Sequence, residues 1–439
     1  MEQKRCDPNQ KSRRLYILEA AVEYFVHICV MSTFLTAVLN EMEVSTALQG
    51  IIADIASLAC SIQLVAVFFV KKTYPCKRWV CWLNLLSQLL FGVLYLIPMT
   101  AFSKALKIGA FIVLLAVAYA CQHYLTPSRT NWHMSLVDDN RRGVFSANKE
   151  IISLIGGMAF SQGAGILLDY FKAKGDMETC FILFAVTITV LSVWHLVIML
   201  MIREPEPQRK IPTKSFREVW HVVLDNRELR HVVIFDVLFV ISTVSIHFYS
   251  VYLTRTFGMT YTYITAIAVI HAVFRAVVSR FLGRLADRRS WAYMLRICML
   301  VLAVGYVIFA VCSPKTVIYL YPVFSLCYAF SLGGSNSGRT NLCLDYAAQE
   351  DRRYVLGIKF AISGIFGFVA TLLASALVEA VEQNGNQFFG ISVYPQQILF
   401  VISAVMLTGL AFFFLPKLKT PARVLEMDAN TKRNEKNCK

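Results

Sequence analysis

The chain has 439 residues, 57% of them hydrophobic, and a formal net charge of +15. A soluble domain cannot bury so large an apolar fraction, so the composition excludes an ordinary globular protein. The basic residues neither gather on one face nor alternate with aromatic residues, so we expect no nucleic-acid partner. The composition therefore predicts an all-α polytopic membrane protein whose surroundings are the lipid bilayer.

Apolar runs of about twenty residues recur along the chain, and each is long enough to cross the bilayer as a helix. Transmembrane β-strands are excluded, because such strands are about half as long and alternate in polarity. We predict about twelve spans, six in each half. The predicted spans are 15–39, 50–70, 79–99, 107–127, 149–171, 179–202, 232–256, 262–283, 291–312, 317–338, 355–379 and 397–416.

The lysines and arginines are unevenly distributed between the two sides of these spans. Most of the 43 fall on the side of the N-terminus, which the positive-inside rule assigns to the cytoplasm. Both termini are therefore predicted to be cytoplasmic. Short outer loops without a glycosylation sequon favour a bacterial cell (inner) membrane. The basic residues on the other side are Lys104, Lys107, Lys172, Lys174, Arg255 and Lys315.

One short motif occurs twice in the chain. Arg-Thr-Asn at 129–131 recurs at 339–341, and the Arg-Arg pair at 141–142 recurs at 352–353 with one additional residue between the two matches. Two halves that stay in register at several places are better explained by duplication than by chance. The repeat predicts two related six-helix bundles.

The longest polar segment separates the two halves. We predict an N-terminal bundle over 1–202, a cytoplasmic linker over 203–231, a C-terminal bundle over 232–416 and a cytoplasmic tail over 417–439. The linker begins with prolines and then shows the apolar spacing of an amphipathic helix, which predicts a helix lying on the membrane.

The loop after the eighth predicted span carries a recognisable pattern. Gly283 is followed four residues later by Asp287, and then by Arg288 and Arg289. With the span count, the repeat and the central linker, this pattern resembles the major facilitator superfamily, where a glycine, an acid and basic residues follow the second span of a six-helix half. In the first half Cys76 stands at the position of the acid, and the glycine is missing.

The resemblance implies solute transport by alternating access, in which two bundles rock about a site near the midplane. It also implies a cytoplasmic latch, because an acid beside a helix N-terminus or the arginines of the repeated stretch can hold the cytoplasmic ends together. The plainer interpretation is that these arginines only satisfy the positive-inside rule. The candidate gating residues are Asp287, Arg288, Arg141, Arg142, Arg352 and Arg353.

Ionisable side chains inside predicted spans are costly in lipid and are therefore candidates for a functional site. At about 1.5 Å per residue, Glu23 and His27 lie about 12 Å and about 18 Å from the cytoplasmic edge of the first span. In the eighth span Arg275 and His271 lie at the same two depths. An acid and an arginine at equal depth can neutralise each other until a substrate carboxylate or a proton replaces one partner. The candidate substrate- and proton-binding residues are Glu23, His27, His271, Arg275, His247 and Asp236.

Other roles for these residues stay open at this point. Arg275 can instead form a structural ion pair with Asp236, and His247 can be a core histidine that bonds across helices. We assign no role to His195.

The sequence contains no zinc-protease, Cys-x-x-Cys or nucleophilic-serine motif, so we expect neither an enzyme nor a metal or other cofactor. We predict a secondary active transporter that moves a small organic solute as a monomer, with the proton as a candidate coupling ion. An efflux transporter for amphipathic compounds and a transport-inactive membrane sensor or scaffold are the alternatives.

Overall fold

The computed structural model describes residues 9–69, 76–137, 142–204, 215–348, 351–388 and 390–418. Within these residues the chain is helical, apart from loops and one short β-hairpin, and eleven helical segments are long and apolar enough to cross a membrane. The predicted all-α polytopic fold is therefore confirmed. Most of the predicted tail, from residue 419 onward, and residues 205–214 of the predicted linker lie outside the described residues.

Contacts divide the chain into two compact units. Unit 1 comprises the described residues of Met1–Thr213 together with His247–Ala266, and unit 2 comprises those of Lys214–Ile246 and Ile267–Lys439. The helices of unit 1 are α1 (Gln10–Cys29), α2 (Ser32–Glu41), α3 (Thr46–Ala53), α4 (Ile55–Ala59), α5 (Ile62–Phe69), α6 (Lys77–Leu94), α7 (Lys104–Met134), α8 (Arg142–Lys174), α9 (Met177–Met201) and the short α12 (Tyr249–Val251).

Unit 2 also consists mainly of helices. α13 (Tyr261–Arg288) has its first turns in unit 1 and the remainder in unit 2. The other elements of unit 2 are α10 (Phe216–Asp225), α11 (Arg227–Ser242), α14 (Trp291–Ala310), α15 (Val317–Tyr346), α16 (Arg352–Gln383), β1 (Gln387–Phe388), β2 (Ile391–Ser392) and α17 (Pro395–Gly409). β1 and β2 pair antiparallel and form the hairpin before α17.

The third predicted span corresponds to α6, which is not among the eleven most apolar segments. This helix begins with Lys77 and Arg78 and carries Asn84 and Gln88 in its interior, so it is less apolar than the others. Both interior amides are buried, at 1% and 0% exposure. Their burial shows that α6 turns a polar face toward its neighbours α7 and α9.

Local sequence explains where several helices begin. The hydroxyl of Ser103 accepts from the backbone N–H of Leu106 at the start of α7, and Ser290 caps α14 in the same way. Ser215 and Glu218 form a reciprocal capping box at the start of α10. These side chains satisfy backbone N–H groups that have no partner inside the helix. α10 lies where the linker sequence predicts an amphipathic helix, and Val219 and Val223 are its buried residues.

Three of the predicted spans are interrupted helices. The first divides into α1 and α2, with Ser32 in the left-handed region at φ 45°, and the second breaks at Asp54 between α3 and α4. In the seventh, α11 passes through a 3-10 turn at Val244–Phe248 and α12 into a π-helical turn at Tyr252–Thr256. Interrupted helices leave backbone polar groups that need other partners, which a membrane protein tolerates only where protein or water provides them.

The fourth and tenth spans are longer than predicted. α7 continues through Pro127 to Met134, and α15 continues past Gly338 to Tyr346. Sequence reasoning ends both spans before Arg129 and Arg339, because basic residues are normally placed in cytoplasmic loops. The structure corrects this prediction and places both arginines on the membrane helices themselves.

The first turn of α13 docks onto α8 within unit 1. The two carboxylate oxygens of Asp169 accept hydrogen bonds from the backbone N–H groups of Tyr261 and Thr262, at 3.0 Å and 2.6 Å. A negative charge at a helix N-terminus is stabilising. One turn earlier on α8, a Cβ added at Gly165 would lie 2.4 Å from Oγ1 of Thr265, so close contact here requires glycine. At Gly163, two residues earlier on the same helix, an added Cβ would meet nothing within 4 Å.

Candidate solute and proton site

A buried group of charged residues lies in unit 1, which we call the acid-rich cluster. It contains Glu19 and Glu23, one turn apart on α1, and Arg129 from α7. Arg129 donates through Nη1 to Glu23, and the same nitrogen lies 3.9 Å from Oε1 of Glu19. The Glu19 side chain is 1% exposed and that of Arg129 is 13% exposed. Two carboxylates therefore share one guanidinium inside the protein.

Two histidines complete the acid-rich cluster, and both approach Glu19. Nε2 of His195, on α9, lies 2.9 Å from Oε1 of Glu19, and Nδ1 of His133, on α7, lies 3.9 Å from Oε2. Nδ1 of His195 accepts from the amide nitrogens of Gln88, at 2.6 Å, and Asn84, at 3.1 Å. A neutral imidazole has one donor and one acceptor nitrogen, so this pattern makes Nε2 the donor to Glu19.

A second buried group lies in unit 2, which we call the cation-rich cluster. Oδ1 of Asp236, on α11, lies 2.6 Å from Nε of Arg339 on α15 and 3.3 Å from Nζ of Lys359 on α16. Ser363, one turn further along α16, donates to the other carboxylate oxygen at 2.7 Å. Asp236 and Lys359 are each 1% exposed. One carboxylate therefore faces two cations.

The two clusters are related by the sequence repeat. Arg129 and Arg339 begin the two copies of Arg-Thr-Asn, and each binds a carboxylate from the first long helix of its own half, Glu23 or Asp236. The ratio of charges is inverted between the copies. Two acids meet one arginine in unit 1, whereas one acid meets an arginine and a lysine in unit 2.

The structure gives the predicted ionic residues other partners than those expected. The sequence hypothesis pairs Glu23 with Arg275, but Arg129 binds Glu23. Asp236, the alternative partner of Arg275, has both carboxylate oxygens engaged by Arg339, Lys359 and Ser363. In both cases the partner lies on the fourth helix of the same half, where sequence reasoning had placed a loop.

The predicted histidines lie outside both clusters. Nδ1 of His27 lies 3.0 Å from the backbone oxygen of Glu23, one turn earlier on α1. In unit 2, Nδ1 of His271 lies 3.1 Å from the backbone oxygen of Ser325. These backbone oxygens orient the two imidazole rings.

His247 has a carboxylate partner within unit 1. Its Nε2 lies 3.2 Å from Oδ1 of Asp54, which is 1% exposed and occupies the break between α3 and α4. His247 itself lies in the 3-10 turn at Val244–Phe248. The pair therefore joins two interrupted segments of the same unit.

The gating residues of the second half lie at helix ends. Asp287 and Arg288 are exposed on the last turn of α13, and Arg352 is exposed at the start of α16. Arg141 lies outside the described residues, as do the side chains of Arg142 and Arg353. The latch at Asp287 stays a prediction.

A different acid occupies the corresponding place in the first half. Oε1 of Glu204 accepts from the backbone N–H groups of Cys76, at 2.6 Å, and Lys77, at 3.3 Å, so its carboxylate binds the N-terminus of α6. Burial, followed by the hydrogen bond and negative charge of Glu204, raises the pKa of the Cys76 thiol. The carboxylate that the repeat lacks at Cys76 is thus provided from the start of the linker.

Sequence reasoning missed several members of both clusters. His195 received no role, although it bonds Glu19 directly. Two signals were available: the repeated Arg-Thr-Asn motif, and the spacing of Glu19 and Glu23 by one helical turn. No group of three His, Cys, Asp or Glu side chains suited to holding a metal ion occurs among the described residues. The missed residues are Glu19, Arg129, His133, His195, Arg339 and Lys359.

Several solved structures share this fold. A mutant of the nucleoside transporter NupG is 13% identical, with a TM-score of 0.69 over 93% of this chain and 100% of that chain. The D-xylose-proton symporter is 11% identical, with a TM-score of 0.63 over 93% and 98%. The Escherichia coli fucose:proton symporter FucP is 16% identical, with a TM-score of 0.57 over 95% and 100%. At these identities the likeness establishes the fold alone.

The family is established by the sequence itself. None of the curated proteins matches the chain. The sequence profile of the Major Facilitator Superfamily matches residues 20–371 and 237–433, which together cover most of the chain. The chain therefore belongs to the Major Facilitator Superfamily, and it is a multi-span membrane transporter rather than an enzyme.

Proposed function

We propose that this protein is a secondary active transporter that moves a small organic solute by alternating access and couples this movement to protons. Membership of the family supports secondary transport. The observation that carries the proton coupling is the acid-rich cluster, in which the buried Glu19 and His195 and the part-buried Glu23 lie around Arg129. Ionisable groups inside a membrane protein are costly and are functional by default.

The charge balance of the acid-rich cluster favours uptake of one proton. Two carboxylates against one guanidinium leave one negative charge uncompensated while both histidines are neutral. A buried charge without a partner is strongly destabilising, so a proton on His195 or on either carboxylate stabilises the cluster.

The surroundings of His195 are compatible with both protonation states. Oε1 of Gln88 is buried and has no hydrogen-bond partner among the described residues. If the Gln88 amide turns over and the Asn84 amide nitrogen moves away from Nδ1 of His195, the Gln88 oxygen can accept from the charged imidazolium. The same amide therefore supports a neutral or a charged ring.

Protonation also changes what holds Arg129. When Glu23 carries a proton, it no longer offers Arg129 a negative charge, and the guanidinium becomes available to another acceptor. Proton binding in unit 1 can thus be linked to a rearrangement of α1 against α7. Such a two-state element is what alternating access requires.

The test is proton movement driven by solute. Purified protein is reconstituted into liposomes that contain a pH-sensitive dye, and sugars, nucleosides, amino acids, carboxylates and organic phosphates are added one at a time. We expect at least one class to acidify or alkalinise the lumen saturably. Glu23→Gln and His195→Asn should remove the proton signal.

The control is Glu43→Gln, which removes an exposed acid of the same unit whose side chain is 81% exposed and lies 3.0 Å from Lys104. This variant should transport like the wild type. Saturable solute flux that moves no protons would overturn the coupling, and the absence of flux for every solute would overturn transport.

We also propose that the protein resides in the cell (inner) membrane as a monomer, with both termini in the cytoplasm. The positive-inside distribution supports this orientation. A membrane-impermeant protease added to intact cells should spare tags at both ends. Cleavage of either tag would contradict a cytoplasmic location of that terminus.

A further inference from the structure

We infer that the transported solute is an anion, and that its carboxylate or phosphate group binds the cation-rich cluster of unit 2. This inference rests on the proposed transport function and names the class of solute. It is carried by the charges, burial and contacts of Asp236, Arg339 and Lys359.

The cation-rich cluster carries one more positive charge than it neutralises. Within the described part of the chain, the ion pairs of Arg339 and Lys359 both end on Asp236. More specifically, both cations approach the same oxygen, Oδ1, while Oδ2 accepts from Ser363. Both carboxylate oxygens of Asp236 are therefore occupied. Its single negative charge is shared by the two positive charges of Arg339 and Lys359.

Burial makes this surplus charge significant. Lys359 is 1% exposed, so bulk water does not solvate its ammonium group. A buried charge is retained only if it is paired or hydrogen-bonded. An uncompensated lysine on a membrane helix is therefore an open position for a negative partner.

The arginine is placed to present donors to such a partner. Its ion pair to Asp236 uses Nε, and a guanidinium has four further N–H donors on its two terminal nitrogens. The Arg339 side chain is 19% exposed, unlike Lys359, and its guanidinium carbon lies 4.6 Å from the centre of the Phe239 ring. A planar, fixed guanidinium binds carboxylate and phosphate oxygens with two parallel hydrogen bonds.

The first half shows that the surplus is particular to unit 2. At the offset of 211 that the paired arginines fix, Lys359 aligns with Asn148. The neighbouring lysine of α8, Lys149, has its Nζ 3.2 Å from the hydroxyl of Tyr16, outside the acid-rich cluster. The aligned position of the first half therefore has no cation, and Lys359 is an addition of unit 2 that lies beside the acid already bound by Arg339.

The competing interpretation is that Lys359 is uncharged, which would make the cluster neutral. Lys359→Met separates these possibilities, because it leaves the single ion pair of Asp236 and Arg339 intact. If the lysine carries surplus charge, the variant without solute should unfold at a temperature equal to or above that of the wild type. A decrease of the unfolding temperature would show that Lys359 is a required partner of Asp236.

Ligand binding is measured on the purified full-length protein by thermal unfolding at constant ionic strength. The anionic probes are lactate, succinate, inorganic phosphate and glucose 6-phosphate, and the neutral probes are glycerol and glucose. We expect at least one anion, and neither neutral compound, to raise the unfolding temperature. A response to lactate or succinate identifies a carboxylate ligand, and a response to either phosphate identifies a phosphoryl ligand.

The variants then locate the binding group. Lys359→Met should weaken the effective anion at least tenfold, and Lys149→Met should leave it unchanged. Three results would each overturn the inference. They are stabilisation by neutral probes only, no response to any anion, and an anion response in Lys359→Met equal to that of the wild type. In the dye assay, solute-driven proton flux with neutral solutes alone would leave transport standing and refute the anionic solute, whereas no flux with any solute would refute transport itself.

Discussion

Arg129 and Glu23 form a part-buried ion pair although 106 residues separate them, and this pair joins α7 to α1 inside unit 1. Its counterpart in unit 2 joins Arg339 to Asp236. In both halves, therefore, the arginine of the duplicated motif binds an acid of the first long helix. The first half has an additional acid in this position and the second half an additional lysine.

Removing the shared arginine should destabilise unit 1. Arg129→Met leaves Glu19 and Glu23 without their guanidinium, and breaking a buried pair in this way costs about 3–5 kcal/mol. Thermal unfolding in detergent should show a clear decrease. The double variant Arg129→Met with Glu23→Gln should recover part of the loss, and additive effects of the two substitutions would contradict a direct pair.

Removing the single acid of the cation-rich cluster should also be costly. Asp236→Asn leaves the buried Lys359 and the part-buried Arg339 without a carboxylate, for which we expect a loss of about 3–5 kcal/mol. Asp225→Asn, at an exposed position of the same unit, should stay within about 0.5 kcal/mol of the wild type. Equal stability of the two variants in chemical unfolding would show that Asp236 does not hold its neighbours.

The contact of α8 with the first turns of α13 can be tested with two glycines of one helix. Gly165→Ala places a Cβ 2.4 Å from Oγ1 of Thr265, and such overpacking costs about 1–3 kcal/mol. Gly163→Ala meets nothing within 4 Å and should be neutral or stabilising by up to about 1 kcal/mol, because alanine favours helix. We expect Gly165→Ala to unfold at a lower temperature than Gly163→Ala. If Gly165→Ala is as stable as the wild type, α8 and α13 separate easily at this contact.

The thiol of Cys76 reports on the carboxylate at the start of α6. Because burial and Glu204 raise its pKa, the thiol stays protonated near pH 8.5, where an exposed cysteine is about half ionised. In a variant with Cys76 as its only cysteine, maleimide should react slowly at that pH. Glu204→Gln removes the negative charge, lowers the pKa and should accelerate labelling. An unchanged rate would place Glu204 elsewhere in solution.

The predicted cytoplasmic latch gives a separate expectation. If Asp287 holds the cytoplasmic ends together in one state of the transport cycle, Asp287→Asn should increase the labelling of single cysteines introduced at the cytoplasmic end of α15. Its neighbour Arg288 supplies the control, since Arg288→Gln removes a topological charge without removing the acid. Identical labelling of Asp287→Asn and the wild type would rule out the latch.

The apolar runs by themselves determined the class of this protein and the approximate positions of its membrane helices. In hydrocarbon, a run of about twenty apolar residues satisfies its backbone groups only as a helix, so composition and length are sufficient. The repeat was also visible as sequence, because the Arg-Thr-Asn motif and the paired arginines survive in both halves.

Tertiary structure decided which charges meet. A sequence gives the depth of Glu23 or Arg275, but the partner depends on which helix face is turned inward and on where a helix ends. α7 continues through Pro127 and α15 past Gly338, which carries Arg129 and Arg339 to the acids on α1 and α11. Burying a charge is tolerated only with an opposite charge beside it, and that requirement is met between helices far apart in sequence.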